Sequence, residues 1–129
     1  MRVQNVFDVC LAQSRRLQSA TGKSIAAVDL KRPSKGYLWR PEPSQAVEYV
    51  ADFEKAAARA LRAPEWKGRR KVFRIYFWRG VDYRRAAMLV GVSNGTFDYW
   101  IKDVKKAVGQ ECMRVGLYPP ARYFQARTA

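Results

Sequence analysis

The fold is decided by residues 82–109, Asp-Tyr-Arg-Arg-Ala-Ala-Met-Leu-Val-Gly-Val-Ser-Asn-Gly-Thr-Phe-Asp-Tyr-Trp-Ile-Lys-Asp-Val-Lys-Lys-Ala-Val-Gly, which predict two helices joined by a short turn. Asp82 and Ser93 can each cap a helix, because a short side-chain oxygen accepts a hydrogen bond from a backbone N–H of the first turn. Gly91 can end the first helix, since glycine takes the left-handed conformation that most residues avoid. The stretch therefore predicts a helix-turn-helix, an arrangement that can set its second helix into a DNA major groove.

Apolar residues recur at helical spacing through both predicted helices. The first helix would bury Tyr83, Ala86, Ala87 and Val90. The second would bury Phe97, Trp100, Ile101, Val104 and Val108. The residues expected to face mainly outward from the second helix are Asn94, Asp98, Tyr99, Lys102, Lys105 and Lys106.

A resemblance to a known module is carried by the string Tyr83-x-x-Ala86-Ala87-x-Leu89-Val90-Gly91-Val92-Ser93-x-Gly95-Thr96-Phe97. It resembles the promoter-recognising fourth region of bacterial sigma factors, where the pattern Tyr-x-x-Ile-Ala-x-x-Leu-Gly-Ile-Ser-x-Gly-Thr-Val recurs. The preceding residues 72–81 are similar to the helix and glycine turn before that motif in sigma factors. Phage late-gene activators and Q-like antiterminators share the module. The resemblance covers residues 67–109 and leaves the first half of the chain outside it.

The resemblance implies a role for each outward position. In sigma factors the second helix of the motif reads the upstream promoter element, while the first helix and the preceding turn touch phosphates. Carried over by position, the residues facing base edges are Asn94, Asp98, Tyr99 and Lys102, with Ser93 and Thr96 near the phosphate backbone. Asparagine can bond adenine, aspartate can accept from cytosine and lysine can donate to guanine. Gly95 has no side chain, and Asp98 stands where the family often has a basic residue, so the family's specificity does not transfer.

Basic residues flank the motif on both sides. A charge run is usually a solvated surface, but these runs lie beside a motif that itself predicts DNA, and neutralising phosphates releases counterions. Phosphate contacts are therefore expected from these basic residues in addition to Ser93 and Thr96. The basic residues are Arg69, Arg70, Lys71, Arg74, Arg79, Arg84, Arg85, Lys105 and Lys106.

The overall charge agrees with a nucleic-acid partner. The chain of 129 residues has 25 Lys plus Arg against 11 Asp plus Glu, a formal net charge of +14. The alternative is that the charge serves only solubility. It is less favoured, because an excess of positive charge lowers the stability of the folded protein through self-repulsion. With 48% hydrophobic and 13% aromatic residues, the chain is expected to fold around a core. Double-stranded DNA is the predicted partner.

The sequence offers little for catalysis or metal binding. It has no histidine, and Cys10 and Cys112 are its only cysteines, so neither a zinc site nor another cofactor is expected. It also has no suggestive carboxylate pair, glycine-rich phosphate loop or nucleophile elbow, so we predict that the protein is not an enzyme. Without a long apolar run or a signal peptide, a cytoplasmic location in a bacterial or phage-infected cell is expected, with no membrane contact.

Three parts of the chain are predicted. Residues 1–43 contain an amphipathic helix, from about Arg2 to Ala20, and a basic and aromatic connector; the helix could pack on the core or support a homodimer. Residues 44–116 form a helical domain that contains the helix-turn-helix, with one helix beginning near Ser44 and another at Lys67. The tail, residues 117–129, either folds back over the core or presents its aromatic residues to a partner such as RNA polymerase.

These observations predict an all-α fold, a single helical domain with a C-terminal helix-turn-helix resembling sigma factor region four. The predicted function is that of a sequence-specific DNA-binding transcription regulator of phage or prophage type, acting with bacterial RNA polymerase, as a late-gene activator or antiterminator. Two alternatives stay open. One is a sigma-like domain that docks on RNA polymerase without reading DNA, and the other is a DNA-packaging recognition subunit of the small-terminase type.

Overall fold

The protein is all-α. The computed structural model describes residues 3–22 and 43–128, with side chains described for 3–19 and 44–125. No strand occurs within these ranges, and none of their helices has both the length and the apolar character needed to cross a membrane. The helices are α1 (Val3–Gly22), α2 (Pro43–Ala60), α3 (Lys67–Val72 continued by Phe73–Trp78), α4 (Tyr83–Val90), α5 (Asn94–Arg114) and α6 (Pro120–Thr128). The predicted basic and aromatic connector lies outside the described residues.

Helix α1 has the amphipathic character that the sequence predicts and lies on the core. Its buried face is formed by residues at helical spacing, Val6, Phe7, Cys10, Ser14 and Leu17. This face packs against α5 and α2. At Gly109 of α5 an added Cβ would overlap the carbonyl oxygen of Val3, so the missing side chain allows the two helices to approach closely. Packing on the core is therefore the role that the structure gives to α1.

Aromatic rings fill the space between α1, α2 and α3. Phe53 of α2 stacks on Trp78 with ring centroids 5.8 Å apart, and Phe7 of α1 meets the edge of Phe77 at 4.9 Å. The second half of α3, Phe73–Trp78, is wound as a π-helix. Its wider turn ends where the Arg79 N–H donates to the Arg74 carbonyl at 3.0 Å. The helix predicted to begin at Lys67 is present, and the π-helical winding of its second half is a feature that the sequence pattern did not indicate.

The tail folds back over the core rather than projecting from it. Leu117, Tyr123 and Phe124 are all buried, and Tyr123 meets the edge of Tyr49 with centroids 4.9 Å apart. The Tyr49 hydroxyl donates to the Leu117 carbonyl oxygen at 3.1 Å, and the Cys10 thiol donates to the same atom at 3.7 Å. Within the tail, α6 begins at Pro120, where a missing N–H costs the helix nothing.

Candidate nucleic-acid interface

The candidate site is built on α4 and α5, which have the predicted capping residues Asp82, Gly91 and Ser93, while α5 continues past residue 109 to Arg114. The Asp82 carboxylate accepts from the Arg85 N–H at 3.2 Å and caps α4. Gly91 ends that helix in the left-handed conformation, with φ of 82°. The Ser93 hydroxyl oxygen accepts from the Thr96 N–H at 3.2 Å and caps α5. Only Gly91, Val92 and Ser93 separate the two helices, so their relative placement is constrained by a very short connection.

Small and aromatic residues hold the two helices together. Ala86 and Ala87 are buried on α4, and Phe97 is buried on α5. Around Phe97, the rings of Tyr83 and Tyr76 approach edge-on, with centroids 5.2 and 5.5 Å away. Edge-to-face packing of this kind adds about 0.5–1.5 kcal/mol to the free energy gained from burial alone. The first turn and a half of α5 is therefore held on a packed base formed by α3 and α4.

Helix α5 is also fixed from α3. The Arg69 guanidinium donates from Nε to the Asp103 carboxylate at 2.8 Å and lies over the rings of Trp66 and Trp100, at 4.6 and 5.4 Å from their centroids. Gly68 makes this possible, because a Cβ there would overlap the Trp100 ring. Arg69, one of the predicted phosphate contacts, thus uses its guanidinium to bind other residues of the protein.

Four more of the predicted phosphate contacts, Arg70, Lys105, Ser93 and Thr96, have partners within the protein. Arg70 donates from Nη1 to the carbonyl oxygens of Leu61 and Ala63, both at 2.8 Å, and so satisfies carbonyls at the end of α2. Lys105 is not turned fully outward as expected, because its Nζ lies 3.1 Å from the Asp8 carboxylate of α1. Ser93 and Thr96 bond each other through their hydroxyls at 3.1 Å in the cap of α5.

The remaining predicted cations are available to an external partner. Each is exposed, and none has an ion-pair partner within the described ranges 3–22 and 43–128. These cations are Lys71, Arg74, Arg79, Arg84, Arg85, Lys102 and Lys106. Four of them, Arg84, Arg85, Lys102 and Lys106, belong to the closely connected helices α4 and α5.

Of the four residues predicted to face bases, three are exposed and have no side-chain partner among the described residues, and the fourth, Asp98, is bonded to Tyr83. Asn94 and Lys102 are exposed, and Tyr99 is 70% exposed. Asp98 is exposed too, but its carboxylate accepts from the Tyr83 hydroxyl at 2.6 Å. This bond raises the pKa of Tyr83, with smaller contributions from burial and from the negative charge of Asp98. Asp98 therefore links α5 to α4, a role that the sequence pattern did not indicate.

An apolar pair on the outer side of α4 was not among the predicted site residues. Met88 is 80% exposed and Leu89 is 55% exposed. The signal was present in the helical spacing, since both residues lie off the stripe formed by Tyr83, Ala86, Ala87 and Val90. Adjacent exposed apolar side chains are a feature of surfaces that contact other molecules.

Comparison with known proteins gave no matching family model, no matching curated protein and no matching solved structure. The resemblance to sigma factor region four consequently depends on the motif residues of 67–109 alone.

Proposed function

We propose that this protein binds double-stranded DNA through α4 and α5 and acts as a sequence-specific transcription regulator of phage or prophage type. The observation that carries the proposal is that two helices joined by three residues present four exposed cations, Arg84, Arg85, Lys102 and Lys106, that have no ion-pair partner among the described residues. A helix-turn-helix presents such a surface to the major groove, with its second helix toward the bases.

Electrostatics supports a polyanionic partner. The net charge of the chain is +14, and it includes seven exposed cations without an ion-pair partner among the described residues, four of which are on α4 and α5. Each phosphate that a lysine or arginine neutralises releases a counterion, which favours binding at low salt. Arg84 and Arg85 of α4 would hold the backbone, because phosphate contacts fix the register of the protein on the duplex.

Base reading is proposed for the exposed residues of α5. Lys102 can donate to guanine O6 and N7, and Asn94 can bond an adenine edge. Both residues are exposed on a helix whose inner side is fixed by Phe97 and Trp100. Asp98 does not need to read a base in this proposal, because its carboxylate is already bonded to Tyr83.

The exposed Met88 and Leu89 favour a second candidate function, in which the sigma-like module docks on RNA polymerase. Their side chains cannot pair with phosphates, and their position on the outside of α4 leaves them free to meet an apolar protein surface. The two functions are compatible if Met88 and Leu89 contact polymerase while α5 contacts DNA. If docking is the whole function, α5 needs no sequence preference.

The deciding experiment is selection of bound duplexes from a random pool by the purified protein, with and without bacterial RNA polymerase, at two salt concentrations. Recovery of a sequence motif by the protein alone supports autonomous operator recognition. Recovery only in the presence of polymerase, or no recovery at all, favours the docking function. A motif made of two half-sites about one helical turn apart would indicate a dimer.

Lys102→Ala and Arg85→Ala should affect binding to the selected duplex in different ways. Replacing Lys102 is expected to cost about 1–3 kcal/mol and relax preference at one base position, because a base contact is lost. Replacing Arg85 should weaken binding to all duplexes alike and reduce the salt slope by about 1, because a phosphate contact is lost.

Lys55→Ala is the matched control, since it removes an exposed lysine of α2, outside the helix pair. Fluorescence anisotropy on the selected duplex and on single-base variants gives the comparison. Equal losses on every sequence for both Lys102→Ala and Arg85→Ala would argue against base reading by α5.

A further inference from the structure

Helices α1 and α4 both lie beside the same side of α5. Asp98 and Lys105 are seven positions apart on α5, and residues at that spacing share one side of a helix. The Asp98 carboxylate accepts from the Tyr83 hydroxyl of α4 at 2.6 Å. The Lys105 ammonium lies 3.1 Å from the Asp8 carboxylate of α1. Helix α1 is therefore a neighbour of the helix pair on the side where α4 lies.

Arg15 is the residue through which α1 reaches the turn before α4. It follows Asp8 by seven positions, so it lies on the same side of α1. Its Nη2 and Cζ atoms would be 2.7 and 3.4 Å from a Cβ added at Gly80. The guanidinium thus lies against the backbone of Gly80, two residues before Asp82, which caps α4. The first helix of the chain consequently places a cation beside the start of α4.

The charge of this guanidinium is not balanced by the described residues. Arg15 is exposed, and its side chain has no ion-pair or hydrogen-bond partner within 3–22 and 43–128. Asp8, the acidic residue of α1, is already paired with Lys105. Arg79, immediately before Gly80, is exposed as well and has no ion-pair partner in those ranges. Positive charge without a counterion lowers stability through self-repulsion, so this turn favours an anionic partner.

We infer that Arg15 contacts a phosphate of the bound duplex, so that the DNA-binding surface extends from the helix-turn-helix onto α1. The inference rests on the proposed DNA binding and adds a contact from outside residues 67–109. A DNA strand that Arg84 and Arg85 hold at α4 passes the side of α5 that α1 also flanks. A guanidinium suits this position, because its planar N–H donors can bond two phosphate oxygens at once.

A phosphate backbone fits these cations better than a single carboxylate does. Cations without an ion-pair partner among the described residues come from three neighbouring places, with Arg15 on α1, Arg79 in the turn, and Arg84 and Arg85 on α4. DNA carries one negative charge at each phosphate along a continuous strand. One strand can therefore meet all of these cations, whereas one carboxylate can meet one or two of them.

The test compares Arg15→Gln with Arg16→Gln, which remove the same charge from neighbouring positions of α1. Arg16 is exposed too, but it points about 100° further round the helix, and its Nη2 donates to Gln13 Oε1 at 3.0 Å. Glutamine is nearly as good a helix former as arginine, so both variants should keep the wild-type stability in chemical denaturation.

The two variants should differ in anisotropy titrations of the selected duplex at several salt concentrations. Arg15→Gln should lose about fivefold in affinity and reduce the salt slope by about 1, because one phosphate contact is lost. Its preference among single-base variants of the duplex should not change, because phosphate contacts carry no sequence information. Arg16→Gln should keep both the affinity and the salt slope of the wild-type protein.

A second arm locates the phosphate. Each phosphate of the selected duplex is replaced in turn by an uncharged methylphosphonate. One replacement should weaken binding of the wild-type protein and of Arg16→Gln, and have no further effect on Arg15→Gln, which has already lost that contact.

The outcomes separate the inference from the proposed function. If the wild-type protein binds no duplex, both fail. If Arg15→Gln binds the duplex with the wild-type affinity and salt slope, the contact is overturned while DNA binding stands. Equal losses in Arg15→Gln and Arg16→Gln would assign the effect to net charge and overturn the contact. It would also be overturned if Arg15→Gln weakened binding only when polymerase is present, since an acidic protein surface would then be the partner.

Discussion

The hydrogen bond between Tyr83 and Asp98 leads to a pH dependence that can be measured. The phenol donates to the carboxylate at 2.6 Å, which raises the pKa of Tyr83 above its ordinary value of about 10. A raised pKa means that the neutral phenol is favoured in the folded state. The bond thus contributes to stability below about pH 10 and is lost as the pH rises through the raised pKa.

The expected result comes from the difference between the phenolate absorbance titrations of the wild-type protein and of Tyr83→Phe. This difference should show one transition, centred above the ordinary tyrosine pKa. In Asp98→Asn the same transition should move back toward that value, because the negative charge and the carboxylate acceptor are gone. A difference titration centred at the ordinary value in the wild-type protein would show that the bond does not form in solution.

The capping residues of the helix pair were predictable from sequence, and the Tyr83–Asp98 bond was not. Asp82, Gly91 and Ser93 act within a few residues of their own positions, so their residue types are enough to predict that they cap the helices. Asp98 bonds a residue fifteen positions away on another helix. Sequence spacing placed it among outward residues, which is correct, but it cannot show which outward residue has a neighbour within reach.

The contact between α1 and α5 depends on Gly109, so Gly109→Ala should destabilise the protein by about 1–3 kcal/mol. An added Cβ would overlap the backbone of Val3, which cannot rotate away as a flexible side chain could. Helix propensity alone predicts the opposite sign, since alanine favours a helix. Chemical denaturation of the variant therefore separates packing from propensity, and an increase in stability would mean that α1 does not lie where the structure has it.

Helix boundaries followed from local signals, whereas the winding of α3 did not. Its second half carries aromatic residues on nearly every side, with Phe73, Phe77 and Trp78 each contacting rings of other helices. Such a run has no hydrophobic period from which a helical geometry could be inferred. The π-helical turn satisfies contacts made to α1 and α2, and those contacts appear only once the helices are assembled.

Binding of DNA should depend strongly on salt. If Lys71, Arg74, Arg79, Arg84, Arg85 and Lys106 each neutralise one phosphate, the logarithm of the affinity should fall against the logarithm of the salt concentration with a slope of about −5. Raising salt from 50 to 200 mM would then reduce affinity by about a thousandfold. Anisotropy titrations at several salt concentrations measure the slope. A value near zero would be incompatible with binding through these cations.

The all-α class and a single hydrophobic core were within reach of sequence, and the division of the cations was not. The predicted phosphate contacts fall into two groups that look alike in the chain. Arg69, Arg70 and Lys105 have Asp103, two carbonyl oxygens and Asp8 as partners, while Arg84 and Arg85 have no ion-pair partner among the described residues. The partners of Arg69, Arg70 and Lys105 come within reach only when the helices are assembled, so sequence alone could not separate the paired cations from the exposed ones.

The anchor of the tail has a consequence for how this protein can vary through evolution. Tyr49 and Cys10, from two different helices, both donate to the carbonyl oxygen of Leu117. A backbone oxygen is present whatever the side chain, so mutations at position 117 cannot delete the acceptor, although they can change the packing around it. The donors have no such protection. In homologous sequences that keep this tail, the residue type at position 117 should accordingly vary more than the tyrosine at position 49, whose hydroxyl is the donor.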